Sequence, residues 1–167
     1  MRLAFLVPLS LLFVGVTAPP AAAADCTAAP APQVDWQRCY LDERDLSHKD
    51  LSRSRLRETS FQRTKLDGAD LTGVDAYRAR FLSAAMAEAR LDDGIFVEGD
   101  FTKAVLYKAS LRRADLRRTK FFRASLRGAD LTGAKILGAD LLNADLSGAH
   151  WIDGQKVCAE GSVGECN

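Results

Sequence analysis

From Leu41 to Trp151 a large apolar residue returns at every fifth position without a slip of register. The series begins Leu41, Leu46, Leu51, Leu56, Phe61, Leu66, Leu71, passes its one small member at Ala76, and resumes from Phe81 and Met86 through to Leu146 and Trp151. Two residues before each of these, from Ser54 to Ala149, stands Ala, Gly, Ser or Thr in every case but Val74. A helix would rotate such an apolar position about 140° per step, and a strand would flip it between faces. The backbone must instead turn a corner once per repeat and aim its large and small residues at a common axis. A chain of this kind coils into a solenoid.

Side chains stacked in neighbouring coils match at the coil period. At a spacing of twenty, Phe61, Phe81, Phe101 and Phe121 form one column, and Leu51, Leu71, Leu91, Leu111 and Leu131 form another that ends in Trp151. In the column Leu56, Ala76, Phe96, Leu116, Ile136 the small residue sits next to a Phe, as volume compensation in a dense core requires. Charge repeats at the same interval: Glu58, Arg78, Glu98 and Arg118 alternate in sign, and so do Arg80, Asp100, Lys120 and Asp140. Four repeats per turn make a square coil.

Units such as Gly68-Ala69-Asp70-Leu71-Thr72-Gly73 and Gly128-Ala129-Asp130-Leu131-Thr132-Gly133 resemble those of pentapeptide-repeat proteins. The resemblance covers roughly residues 39 to 153. It implies an all-β fold, a right-handed quadrilateral β-helix, here with about 5.75 coils. It does not imply a particular biochemistry.

The N-terminus has its own character. Arg2 precedes the apolar run Leu3 to Val16, and small residues follow up to Ala24, the pattern of a secretory signal peptide cleaved after residue 24. A membrane span needs about 20 apolar residues and would not carry Pro8, Pro19 and Pro20. Asp25 before Cys26 does not fit a lipid-anchored cysteine. Removal of residues 1–24 takes away one basic residue, leaving 22 basic against 22 acidic, a neutral chain with no membrane span. The expected organisation is 1–24 signal peptide, 25–40 N-terminal cap and linker, 41–153 solenoid and 154–167 C-terminal cap. Within the second of these, Thr27 to Val34 reads as an extended linker and Trp36 as a lid over the first coil.

All four cysteines, Cys26, Cys39, Cys158 and Cys166, follow the leader, in a compartment that favours disulfides. About 5.75 coils at about 4.8 Å separate Cys39 from the last two by roughly 28 Å, whereas disulfide Cα atoms lie within about 7 Å. The expected pairs are therefore Cys26 with Cys39 and Cys158 with Cys166, one staple at each end. A zinc site would need them in one cluster.

Cys39, Arg44 and Lys49 stand where small residues stand later, which predicts a first coil that is wider, partly open or covered by the N-terminal segment. Corners carrying Gly (68, 73, 128, 133, 138, 148) are expected to be type II turns, and those carrying Glu88, Asp93, Glu98, Arg113 or Arg118 type I.

Two surface features stand out. Between residues 103 and 127 nine basic residues face one acid, Asp115. Of these Lys103, Lys108, Arg112, Arg113, Arg117, Arg118, Arg123 and Arg127 are a candidate anion-binding belt. Glu88, Asp93 and Glu98 lie one coil below Lys108, Arg113 and Arg118, and Asp100 below Lys120, so that a stacked ladder neutralises much of it. In the coil above, Gly128, Gly133 and Gly138 stand at the matching positions, so on that side the arginines are expected to face no acids. The second feature is an outward apolar set, Phe122, Leu137, Leu142 and Ile152, either a partner surface or the seat of residues 154–167 with Val157 and Val163 packing down.

Catalysis has little foothold, with His48 and His150 about five coils apart and no Gly-rich phosphate loop or Ser-His-Asp arrangement. The expectation is an exported non-enzyme without cofactor or metal, periplasmic in a Gram-negative host and otherwise secreted. It would serve as a rigid scaffold for another protein or for a second copy. The alternative is an envelope polyanion binder using the belt. A third reading comes only from the resemblance, since some family members mimic DNA and act on DNA gyrase; the neutral charge and the export signal make nucleic-acid mimicry a poor fit.

Overall fold

The computed structural model describes residues 23–167, so the expected leader lies outside the described residues except for Ala23 and Ala24. From Asp35 onward each fifth residue makes a parallel bridge to the residue twenty ahead, from Asp35–Arg55 to Asp130–His150, with a turn between successive bridges. Twenty residues and four corners thus make one coil, and the stacked coils form a square β-solenoid.

The backbone of one repeat shows why a five-residue unit closes. In Leu71 to Asp75, the Leu71 and Gly73 N–H groups donate to Arg90 and Asp92 of the next coil at 2.7 and 2.8 Å, and Asp75 donates back to Ser54 at 3.0 Å. Val74 closes the turn on the Leu71 carbonyl at 3.4 Å. The fifth donor, Thr72 N–H, reaches the Asp70 carboxylate at 2.9 Å. A buried or half-buried amide left unpaired is costly, and this is the physical reason for Asp before the central Leu. Asp50, Asp100, Asp130, Asp140 and Asp145 do the same for Ser52, Thr102, Thr132, Leu142 and Ser147. Asp42, Asp67 and Asp92 serve the coil above instead, accepting from Gln62, Ala87 and Arg112.

The corners depart from expectation. Glu88, Asp93, Glu98, Arg113 and Arg118 have φ of 56 to 58°, as left-handed as Gly68 at 61°. Every corner from Gln33 to Gly148 therefore has the positive φ of a type II turn, with or without glycine. The left-handed conformation costs a side-chain-bearing residue on the order of 1–2 kcal/mol, but a type I corner would turn the N–H at that position away from the next coil. The ladder bonds decide the turn.

Inside, Phe61, Phe81, Phe101 and Phe121 stack with ring centroids 5.0, 4.6 and 5.3 Å apart. Phe96 meets Phe81 and Phe101 edge-on at 6.1 and 5.6 Å. Its ring fits because Ala76 lies below it and Gly94 stands at the small position before it: a Cβ on Gly94 would lie 2.5 Å from Phe96 Cε2, while one on Gly99 would meet the Phe96 backbone carbonyl at 2.8 Å. The central residues are buried as far as Leu131. Ile136, Leu141 and Trp151 are only partly so.

Both ends differ from the reading of the sequence. The Thr27–Val34 stretch is not simply a linker, because the repeat register already runs through Ala31 to Asp35. Gln33 turns with φ 60° and bonds Ser52 at 2.8 Å, and Val34 is buried. Trp36 is not a lid: it occupies the centre of the next repeat, fully buried in the column that continues with Leu56. Arg44 and Lys49 are exposed at a rim with no bridge beneath, the partly open form of the first coil.

At the other end the chain doubles back, with Val157 and Val163 bridging antiparallel to His150 and Asp145. Val157 and Val163 do not pack down; they are half exposed, because the inward-facing residues of this segment are Cys158 and Ser162. Cys26 and Cys39 lie at disulfide distance with Cα atoms 5.5 Å apart, and Cys158 and Cys166 with Cα atoms 4.8 Å apart.

Two outcomes follow from this packing. Gly94→Ala drives a methyl into the Phe96 ring and is expected to cost about 1–3 kcal/mol, read as a lowered melting temperature; an unchanged melt would mean that the niche has slack. Four of the bridging aspartates, Asp45, Asp50, Asp130 and Asp145, titrate with the fold. Hydrogen bonds from Ser47 and Ser52 hold the Asp45 and Asp50 carboxyls below their ordinary 3.8. At Asp130 and Asp145 burial pushes upward, but hydrogen bonds from Thr132 and Ser147 bring the net shift down. A carboxyl depressed on folding adds stability that is whole above its unfolded value and drains away as the pH falls through the lower folded one. Melting temperature should therefore be level with respect to these groups above about pH 5 and fall below about pH 4, and Asp130→Asn with Asp145→Asn should flatten that acid limb.

Candidate functional site

The basic belt is a set of ion pairs more than a bare cationic surface. Arg113 meets Asp93 at 2.7 Å, a two-pronged contact that lowers the Asp93 carboxyl and raises the guanidinium. Arg117 clasps Asp115 at 2.6 Å with the same effect on both partners. Arg118 reaches Glu98 at 3.5 Å, sharing it with Arg78 at 2.7 Å, the alternating column expected from the spacing. Arg112 and Arg127, by contrast, reach upward to Asp130 and Asp145, each at 3.3 Å, and Arg127 also holds Glu160 of the C-terminal tail at 2.9 Å. The expectation that the coil above offers no acids is corrected here. The aspartates of the Ala-Asp-Leu units, not the corner positions, supply them.

Other expected pairs do not form. Among the described residues Lys103, Lys108, Lys120 and Arg123 have no carboxylate within 4.0 Å, so neither Glu88 with Lys108 nor the column Arg80, Asp100, Lys120, Asp140 makes a contact pair. Lys108 lies over the Tyr107 ring at 5.2 Å and Arg123 over Phe122 at 5.0 Å.

The apolar set divides in two. Phe122 is half-buried beneath Arg123, and Ile152 is half-buried against the core. Leu137 and Leu142 are 81% and 61% exposed. They sit on the last coil, where the sides carrying Lys135 and Asp140 have no bridge above them, while the tail covers the sides of Asp145 and His150. Among the described residues the N–H groups of Ile136, Gly138, Leu141 and Asn143 meet no backbone acceptor. The half-burial of Ile136 and Leu141 has the same cause: no coil lies over them. The sequence gives no direct sign of this open rim, since the apolar repeat continues through it unbroken.

A shallow cleft of about 380 Å³ between Val97, Arg117, Arg118, Leu137 and Gly138 runs down from that rim. His48 and His150 belong to opposite ends of the solenoid. Among the described residues no three His, Cys, Asp or Glu side chains are grouped to hold a metal ion, and no helix is long and apolar enough to cross a membrane.

This geometry has relatives. A family model described as pentapeptide repeats matches in eight copies over residues 37–73, 84–123 and 124–150. No curated protein matches the chain. Among solved structures, the chain is similar to HetL, a pentapeptide-repeat protein involved in heterocyst differentiation regulation from Nostoc sp. strain PCC 7120. The two share 29% identity over 75% of this chain and 68% of HetL, with a TM-score of 0.51. It is also similar to the pentapeptide-repeat protein Rfr23 from Cyanothece 51142, with 21% identity over 66% of this chain and 86% of Rfr23 and a TM-score of 0.53. Right-handed quadrilateral β-helices are the fold of such proteins, and the twenty-residue bridge spacing, the four corners per coil and the matched repeats all agree: the chain belongs to the pentapeptide-repeat family.

Proposed function

We propose that this protein is an exported, non-enzymatic scaffold that works by holding another polypeptide against the C-terminal end of its solenoid. The observation that carries the reading is the open rim, where exposed Leu137 and Leu142 lie beside backbone donors that have no partner. Unpaired sheet edges with adjacent apolar residues recruit other chains. Support for a rod that transmits position and not chemistry comes from the family, whose members are generally structural or regulatory, and from the regulatory role stated for HetL. Cysteines at disulfide distance at both ends suit an oxidising compartment. With the leader read at residues 1–24, this is the periplasm of a Gram-negative host or the outside of another cell.

Polyanion binding by the belt draws support only from Lys103, Lys108, Lys120 and Arg123. The arginines at 112, 113, 117, 118 and 127 already have carboxylates. DNA mimicry needs a surplus of acids, which a chain with 23 basic and 22 acidic residues lacks.

A photo-crosslinking residue in place of Leu137, with the protein in its native compartment, is expected to yield a protein adduct; an adduct-free protein would end the scaffold reading. Retention on an anionic matrix should be weak and little changed by Arg118→Glu with Arg123→Glu. Strong, salt-sensitive retention that this change abolishes would favour the polyanion alternative. The mature protein should begin at Asp25, and a chain that keeps Met1 would remove export.

A further inference from the structure

We infer that the open half of the C-terminal rim is filled by a second copy of this chain, the two joined end to end about a two-fold axis with their tails forming one shared layer. The inference rests on the scaffold reading and names the polypeptide that the rim holds.

The rim is a step. Over the sides of Asp145 and His150 lies the tail, bonded through Leu146 N–H to Ser162, Gly148 N–H to Cys158 and Trp151 N–H to Lys156 at 2.8 to 2.9 Å. The sides of Lys135 and Asp140 lie lower by one strand spacing, about 4.8 Å, and among the described residues their ladder donors, the N–H groups of Ile136, Gly138, Leu141 and Asn143, meet no backbone acceptor. Covered and uncovered halves are two adjacent sides each. A two-fold axis along the diagonal between them exchanges the halves, so each tail drops onto the other chain's open sides. The step is complementary to itself.

Strand direction agrees. The tail runs antiparallel to its own coil. The two-fold reverses the second coil when both are viewed from one end, so the second tail runs parallel to the first chain's open edge. Every internal bridge between coils has that sense. The axis sets the Val163 segment of one chain over the Asp140 side of the other, and the Val157 segment over the Lys135 side. Leu142, at the corner on the axis, faces its own counterpart. Val157 and Val163 are 51% and 52% exposed and Leu142 61%, so apolar surface turned to solvent in one chain is covered in the pair.

Charge agrees with this arrangement. The tail carries Asp153, Glu160 and Glu165 against one Lys156, and among the described residues Asp153 and Glu165 have no basic group within 4.0 Å. The open half, with the coil beneath it, carries Arg117, Arg118, Lys120, Arg123 and Lys135 against Asp115 and Asp140, and among the described residues Lys120, Arg123 and Lys135 have no carboxylate within 4.0 Å. Tail on open half therefore joins opposite charges. Head-to-tail stacking would not close, giving filaments in place of a dimer.

The test is light scattering on the purified protein with its disulfides intact, together with a mixing experiment. The expected mass is that of a dimer. Leu142→Asp, at an exposed position, should weaken self-association at least tenfold while leaving the far-ultraviolet circular dichroism unchanged, and Phe122→Glu on the lateral face should leave the dimer intact. Chains carrying Asp140→Cys mixed with chains carrying Val163→Cys should form an interchain disulfide that neither forms alone. A filament overturns the joint, as does a dimer that Leu142→Asp leaves intact and the cysteine pair does not lock. A monomer whose Leu137 position still cross-links to a different protein overturns the joint and leaves the scaffold reading standing.

Discussion

Each coil is tied to the next by backbone bonds that run nineteen residues forward and twenty-one back, and nearly everything else in the molecule accommodates that ladder. A repeat offers five N–H groups. Three go to neighbouring coils and one closes the corner, which leaves a single donor for an aspartate to meet. The corner must hold φ positive for the count to work, and eighteen residues other than glycine accept that conformation. Local preference yields because the alternative is a missing bond between coils, repeated along the rod. This is also why the interior can be so narrow. Side chains enter it only at the large and small positions, and a phenyl ring at Phe96 needs glycine at position 94.

The same ladder explains how far the residues alone could be read. Spacing fixes the columns, so the Phe stack, the square coil and the separation of the two cysteine pairs follow from counting. Turn type did not follow, because Glu88 or Arg113 has no intrinsic reason to adopt φ near 57°; the reason lies in the coil above. Trp36 was misplaced for a different cause. Its repeat is preceded by one with Ala31 and Val34 at the large and small positions, which carries no visible period. The belt was legible as charge but not as contacts, since Arg112 and Arg127 pair at a spacing of eighteen, across from one column to another. The tail has no repeat at all, and its antiparallel course depends on which edge happened to be free.

The two ends are finished differently. At the N-terminal end residues 25–34 lie beneath the first full coil, and Cys26 is held to Cys39. At the C-terminal end the turn back at residues 153–157 is short, and the Cys158–Cys166 pair confines the segment that follows to two of the four sides. The exposure of Ile136 and Leu141 is thus set by the course of this segment and not by any change in the repeat.

The charge column at Arg38, Glu58, Arg78, Glu98 and Arg118 has a period of forty residues, while the backbone beneath it has a period of twenty. Duplicating one coil within this column would keep the fold intact but set two like charges against each other, whereas duplicating two coils would keep both. A rod of this design can lengthen most smoothly by pairs of coils, and its surface charges record the parity of its growth.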